Sequence, residues 1–164
     1  METTTKEGSR EYPFEMEATL LDKWMTALES DDYAQGDGKL YDSDHKSYCC
    51  LGVAGKVFGL EETFMDDCAM FTEIGTGMSE EEMGEWKEQF QKLDDLPQIL
   101  FEEGGGHKTL VDMLVSFNDG TNGSVMKQIK DIPGIIVPDT WKDEYTSLSF
   151  KEIAQFLRNN VKPI

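Results

Sequence analysis

Two adjacent thiols, Cys49-Cys50, and two histidines, His45 and His107, are the residues of this chain best suited to covalent chemistry. A thiolate nucleophile, an imidazole base and Asp119 orienting that base would together make a hydrolase. The thiols, however, open on the most apolar stretch of the sequence. Ser47-Tyr48-Cys49-Cys50-Leu51-Gly52-Val53-Ala54-Gly55-Lys56-Val57-Phe58-Gly59 carries a single charge, Lys56. An unassisted thiol inside such a segment is held protonated and inert. Core packing is therefore the favoured reading of both cysteines, with Cys49 the better nucleophile because it lies nearer the segment's start. No catalytic residue is assigned.

Metal binding is the second chemistry to weigh. Asp42, Asp44 and His45 are close together, and Asp66-Asp67 and Asp94-Asp95 are local pairs. None follows the calcium-loop spacing, HExxH is absent, and no CxxC or Cys/His cluster has zinc spacing. These carboxylates read as solvated surface, so no metal and no cofactor is expected. Gly104-Gly105-Gly106 lacks the Gly-Lys-Ser/Thr ending of a phosphate loop and reads as a hinge or hairpin.

The third chemistry is reversible binding. Tyr33, Gln35, Lys39, Tyr41, Tyr48, Asn118 and Asp119 are hydrogen-bonding groups brought beside the apolar segment. Apolar walls with a few polar groups are how small ligands are held. The tyrosines could stack on a flat ring, and Lys39 could meet a phosphate. The competing reading makes Gln35 and Asn118 turn caps and the tyrosines half-buried core.

A net charge of −18 over 164 residues argues against binding a nucleic-acid backbone or an anionic membrane, both of which need clustered Lys and Arg. It leaves solubility, a basic partner or a cation as readings. Three cysteines without a pairing pattern, no secretory leader and no apolar run near 18 residues point to a reduced, cytoplasmic protein.

The elements that must position these residues follow from periodicity. A helix is expected over Glu15–Glu29, with Met16, Leu20, Leu21, Trp24, Met25 and Leu28 on one stripe. Gly36 and Gly38 predict a tight turn and a short strand, and the polar loop 43–46 leads into a buried helix over Tyr48–Phe58, alone or preceded by a strand. Gly59 suits the position after that helix. A short helix near 61–67 or a strand near 69–74 would follow.

Ser79 with Glu82 is a capping box opening a helix to Asp94, with Met83, Trp86, Phe90 and Leu93 apolar. Lys108–Phe117 is helical and stops at Asn118-Asp119-Gly120. Ile135-Ile136-Val137, between Pro133 and Pro138, suits an edge strand. Ser149 with Glu152 is a second capping box; Arg158 and Lys162 sit near that helix's end. The expectation is a flexible segment, 1–14, and a single domain, 15–164. Its fold class is α+β, mainly helical, with four to five helices around a buried central helix and a small hairpin or sheet.

Trp24-x-x-Ala27-Leu28, Tyr33-x-Gln35-Gly36-x-Gly38-x-Leu40 and Tyr48-Cys49-Cys50-Leu51-Gly52-Val53, followed by Asn118-Asp119 and Ser149-Phe150-x-x-Ile153-Ala154, resemble a family of small uncharacterised proteins of tailed phages and prophages. About half the chain carries the likeness; the acidic middle, 61–103, departs from it. The resemblance implies an accessory, anti-defence protein in the host bacterial cytoplasm. Its expected action is to sequester a small nucleotide-type signalling ligand without catalysis. The alternatives are an acidic DNA mimic occupying a basic host protein, and a cysteine- or metal-dependent hydrolase of a nucleotide signal. A homodimer is compatible with the first two.

Overall fold

Strand β1 (Phe14–Met16) and helix α1 (Ala18–Glu29) open the fold in a computed structural model that describes residues 12–100, 110–120, 123–137 and 147–164. Leu21, Trp24, Ala27 and Leu28 recur on one face of α1 and are buried. The Glu17 carboxylate accepts from Leu20 N at 2.8 Å and caps its start, three residues later than the periodicity suggests. Residues 14–16 are withdrawn from the helix by a parallel ladder to β5 (Val161–Pro163), with Phe14 opposite Val161 and Met16 opposite Pro163. Met16 still reaches the core, but from a strand.

The second sheet has three two-residue strands, β2 (Ala34–Gln35), β3 (Tyr41–Asp42) and β4 (Ser47–Tyr48). Its order is β2-β4-β3, with β4 parallel to β2 and antiparallel to β3. Gly38, at φ 75°, provides the left-handed turn between β2 and β3.

The central segment is a strand running into a helix: β4 ends at Tyr48, Cys49 caps, and α2 spans Cys50–Val57. Tyr48 therefore belongs to the sheet. Every residue from Cys50 to Gly55 is buried, and Trp24 donates its indole N–H to Cys50 O at 2.9 Å. Gly52 permits the closest approach: a Cβ there would sit 1.7 Å from Leu40 O. Gly59, at φ 106°, follows the helix as expected.

Helix α3 (Glu62–Met65) is the short helix expected near 61–67, and a 3-10 turn at Phe71–Glu73 stands where the alternative, a strand near 69–74, would have run, bringing Phe71 against Gly55. The capping box at Ser79 and Glu82 forms, but the helix divides at Trp86 into α4 (Glu80–Glu85) and α5 (Lys87–Asp95). Trp86 and Phe90 pack on Phe64, with ring centroids 5.5 and 5.1 Å apart. The break leaves α4 with no buried residue and Met83 43% exposed, contrary to the single-stripe reading.

Helices α6 (Leu110–Asp119), α7 (Gly123–Lys130) and α8 (Phe150–Asn160) complete the chain. Helices α1, α2, α6 and α8 enclose the core, where Phe117 and Phe156 meet edge-to-face at 4.7 Å. Residues 135–137 form no strand. Instead the buried Asn160 side chain serves Ile136 as a strand would, accepting from its N–H and donating to its carbonyl, both at 2.7 Å. Arg158 forks onto Glu29 with two bonds of 3.0 Å, and Lys162 lies in β5 rather than at the helix end. The protein is a mainly helical α+β domain, with eight helices and two small sheets among the described residues. The Gly104–Gly106 run, His107 and Pro138 lie outside those residues.

Candidate functional site

The sequence signature converges on one polar clasp. Asn118, at the end of α6, is 5% exposed and spends all its hydrogen-bonding capacity internally. Its Oδ1 accepts from Cys50 N at 3.2 Å and from Gln35 Nε2 at 3.1 Å. Its Nδ2 donates to Gly36 O at 2.7 Å and to Asp119 Oδ1 at 3.0 Å. Gln35 in turn donates to Leu148 O at 2.8 Å and accepts from Phe150 N at 3.1 Å. Asp119 Oδ1 also accepts from Gly38 N at 3.1 Å. The QGxG turn, the first turn of α2, the end of α6 and the start of α8 are thus tied together by two amides and a carboxylate.

The tyrosines face inward. Tyr48 lies between Tyr33 and Tyr41, with centroids 5.2 and 4.8 Å away, and its hydroxyl donates to the Glu62 carboxylate. Tyr41 and Tyr48 are buried, so their faces are taken by one another. Tyr33 borders a separate depression with Asp32 and Val57. Lys39 pairs with Asp67 at 2.6 Å on the surface, and that hydrogen bond holds its ammonium more firmly protonated.

What the fold opens beside the clasp is a cleft of about 720 Å³. Gln35 and Asn118 reach its wall, whereas Tyr33, Lys39, Tyr41, Tyr48 and Asp119 do not line it. The rest of the lining includes Gly36, Asp37, Asp42, His45, Ser47 and the residues just before α8. His45 Nδ1 lies 2.8 Å from Asp42 Oδ2, and Asp44 N donates to Asp42 Oδ1 at 3.0 Å. The bond to His45, helped by the backbone, keeps the Asp42 carboxyl below the usual range. Asp37 and Ser47 carried no sequence signal beyond Asp37 lying between the two turn glycines.

The mouth of α8 also borders this cleft, but three of its backbone donors, Ser149 N, Phe150 N and Glu152 N, are used. Ser149 Oγ accepts from Glu152 N, Glu152 Oε1 accepts from Ser149 N, and Phe150 N goes to Gln35. A helix N-terminus closed this way, with a carboxylate on it, does not welcome an anion. Among the described residues no group of three or more His, Cys, Asp or Glu is placed to hold a metal ion.

The thiols sit in the core. Burial pushes Cys49 from 9.0 up to about 12, and raises Cys50 well above the ordinary thiol value. Cys50 Sγ points to Leu114 O at 3.5 Å, and Cys49 Sγ caps Gly52 N at 3.4 Å. Iodoacetamide at about pH 8 is expected to label the half-buried Cys68 before either of these, as read by mass spectrometry of digests. Labelling of native Cys49 or Cys50 would reopen a thiol mechanism. The sign of the alkaline response follows from the same burial. Above the ordinary value the unfolded Cys49 ionises while the folded one stays neutral, so its contribution to stability falls as pH rises from 9.0 toward about 12.

No helix among the described residues is long and apolar enough to cross a membrane. No curated protein matches the chain, and no solved structure does. A family model does match, over residues 16–161, from β1 into β5, so the whole clasp and cleft fall within it. The chain belongs to the family described as domain of unknown function DUF8296.

Proposed function

We propose that this chain is a non-catalytic binding protein that occupies a basic protein of a bacterial host, its carboxylates meeting Lys and Arg side chains that otherwise meet phosphate. The observation that carries this reading is the charge of the cleft: Asp37 and Asp42 line it, and no Lys or Arg does among the described residues. Opposite charge steers and holds a basic partner. The acidic surface extends the attraction, since residues 61–95 hold twelve carboxylates against two lysines. The three glutamates that open α4 are exposed on a helix with no buried face. The setting, a phage or prophage accessory protein acting in the host cytoplasm against a defence, rests on the motif resemblance.

Sequestration of a small nucleotide is the second reading, favoured by size alone, because about 720 Å³ is within the range of ligand pockets. Among the described residues, the capped start of α8, the paired Lys39 and a cleft lining without Lys or Arg leave little to receive a phosphate.

Titration calorimetry with an oligo-arginine peptide separates the two. Binding is expected at low salt, weakening steeply as salt rises. The double variant Asp37→Asn/Asp42→Asn is expected to weaken it about tenfold or more. A rise in Tm with a cyclic or ADP-ribose-type nucleotide, without peptide binding, would overturn this reading in favour of sequestration.

A further inference from the structure

Among the described residues, Ser47 is the one cleft residue whose polar group is both buried and unused. It is 8% exposed, and among the described residues its hydroxyl makes no hydrogen bond, although its backbone is paired on both sides within the sheet. The hydroxyl lies beside Gly36: a Cβ on that glycine would come within 2.3 Å of Ser47 Oγ. Both residues line the cleft. A buried hydroxyl without a partner is costly, and such groups concentrate where a ligand completes them.

The neighbours of that hydroxyl state the chemistry of the missing partner. Asp42 stands opposite Ser47 in the β3–β4 ladder. Its side chain is 19% exposed, and each oxygen accepts one bond, one from Asp44 N and one shared with His45, leaving a lone pair on each. Asp37, exposed at the rim, has no hydrogen bond or ion pair among the described residues. The group required is therefore a cation with several donors, spread enough to reach a carboxylate and a hydroxyl together. A metal ion would need ligands converging on a point, and no such cluster exists among the described residues. A phosphate would meet carboxylates.

We propose that the cleft floor is a subsite for a single guanidinium group, an arginine side chain of the partner, with Asp42 taking its fork, Ser47 Oγ accepting a further N–H and Asp37 guarding the entrance. This rests on reading the cleft as the site of a basic partner, and it names the side chain that enters. The planar fork of arginine matches a carboxylate in two bonds, which a lysine ammonium does not.

The test uses Nα-acetyl-arginine amide as the single-group probe and the lysine counterpart as its control, followed by NMR chemical-shift titration of the whole chain. The arginine probe is expected to perturb the Ser47 and Asp42 amides and to bind about tenfold more tightly than the lysine probe. Ser47→Ala is expected to weaken it about tenfold while the Tm stays level or rises, because removing an unsatisfied buried hydroxyl costs the fold nothing. Asp42→Asn is expected to lose the probe further. Equal binding of both probes, or undiminished binding in a folded Ser47→Ala chain, would overturn the subsite. If oligo-arginine binds and the single-group probe does not, the subsite falls and the basic-partner reading stands. If neither binds, both fall.

Discussion

Gly52→Ala is expected to destabilise the protein by at least about 3 kcal/mol, or to leave it unfolded. Alanine in place of glycine within an exposed helix normally adds stability, by about 1 kcal/mol. Here the sign reverses because α2 lies directly on the β-layer. The added methyl would stand 1.7 Å from Leu40 O, 2.6 Å from Leu40 C and 3.1 Å from its Cα, all backbone atoms that cannot rotate aside. Leu40 is itself fully buried. Its carbonyl accepts from Cys49 N at 3.3 Å and its N–H donates to Cys68 O, so displacing it loosens the helix start and the α3 region together. Gly84, in the exposed α4, is the control: a methyl added there would meet nothing within 4 Å. Urea unfolding of the two variants should move the midpoint in opposite directions. A Gly52→Ala chain as stable as the parent would refute the close approach.

Asn118→Ala is expected to cost on the order of 3–5 kcal/mol without touching an apolar contact of the core. The substitution strips the fully buried Cys50 N of a partner and Gly36 O of its donor at the cleft wall, and it frees Gln35 and Asp119 from their shared amide. Asn118→Asp sharpens the interpretation. It keeps the two acceptor positions but sets an oxygen against Gly36 O and against the Asp119 carboxylate. That chain is expected to be as unstable as Asn118→Ala at neutral pH and to recover as pH falls, since protonation restores a donor toward Gly36. Thermal unfolding across a pH series reads the difference. An Asn118→Ala loss below about 1 kcal/mol would show that the clasp is not what joins the four segments.

These two positions also mark how far the sequence could be read. The two capping boxes, the α1 stripe and the left-handed Gly59 were legible because each is settled within one or two helical turns. The strands β1 and β5 were not, since nothing local distinguishes Phe14-Glu15-Met16 from a helix start. Their partner lies almost the whole domain away. The expected edge strand at 135–137 failed for a related reason: a single asparagine side chain supplies the pairing that periodicity ascribed to a strand.

Among the candidate site residues, Gln35 and Asn118 were found from their types, and the competing reading of them as turn caps named their internal employment but not their partners. An amide is a ligand group only if its donors and acceptors are free, and theirs are filled by partners 83 and 115 positions away. Ser47 shows the converse. A serine beside an apolar run carries no signal until the sheet buries its hydroxyl and nothing among the described residues bonds to it.

The parallel ladder of β1 and β5 carries a consequence for synthesis. Phe14 meets Val161, and Ile164 N donates to Met16 O at 2.9 Å, so the first strand waits for the last residues of the fold. The ribosome exit tunnel shields the most recently made segment of any chain. While residues 161–163 are still inside it, β1 has no partner and the α1 face that α8 covers is bare. Unlike a domain that nucleates on a local hairpin, this one must close a loop of nearly its entire length before it is complete. Its final assembly therefore waits until residues 161–163 have left the tunnel.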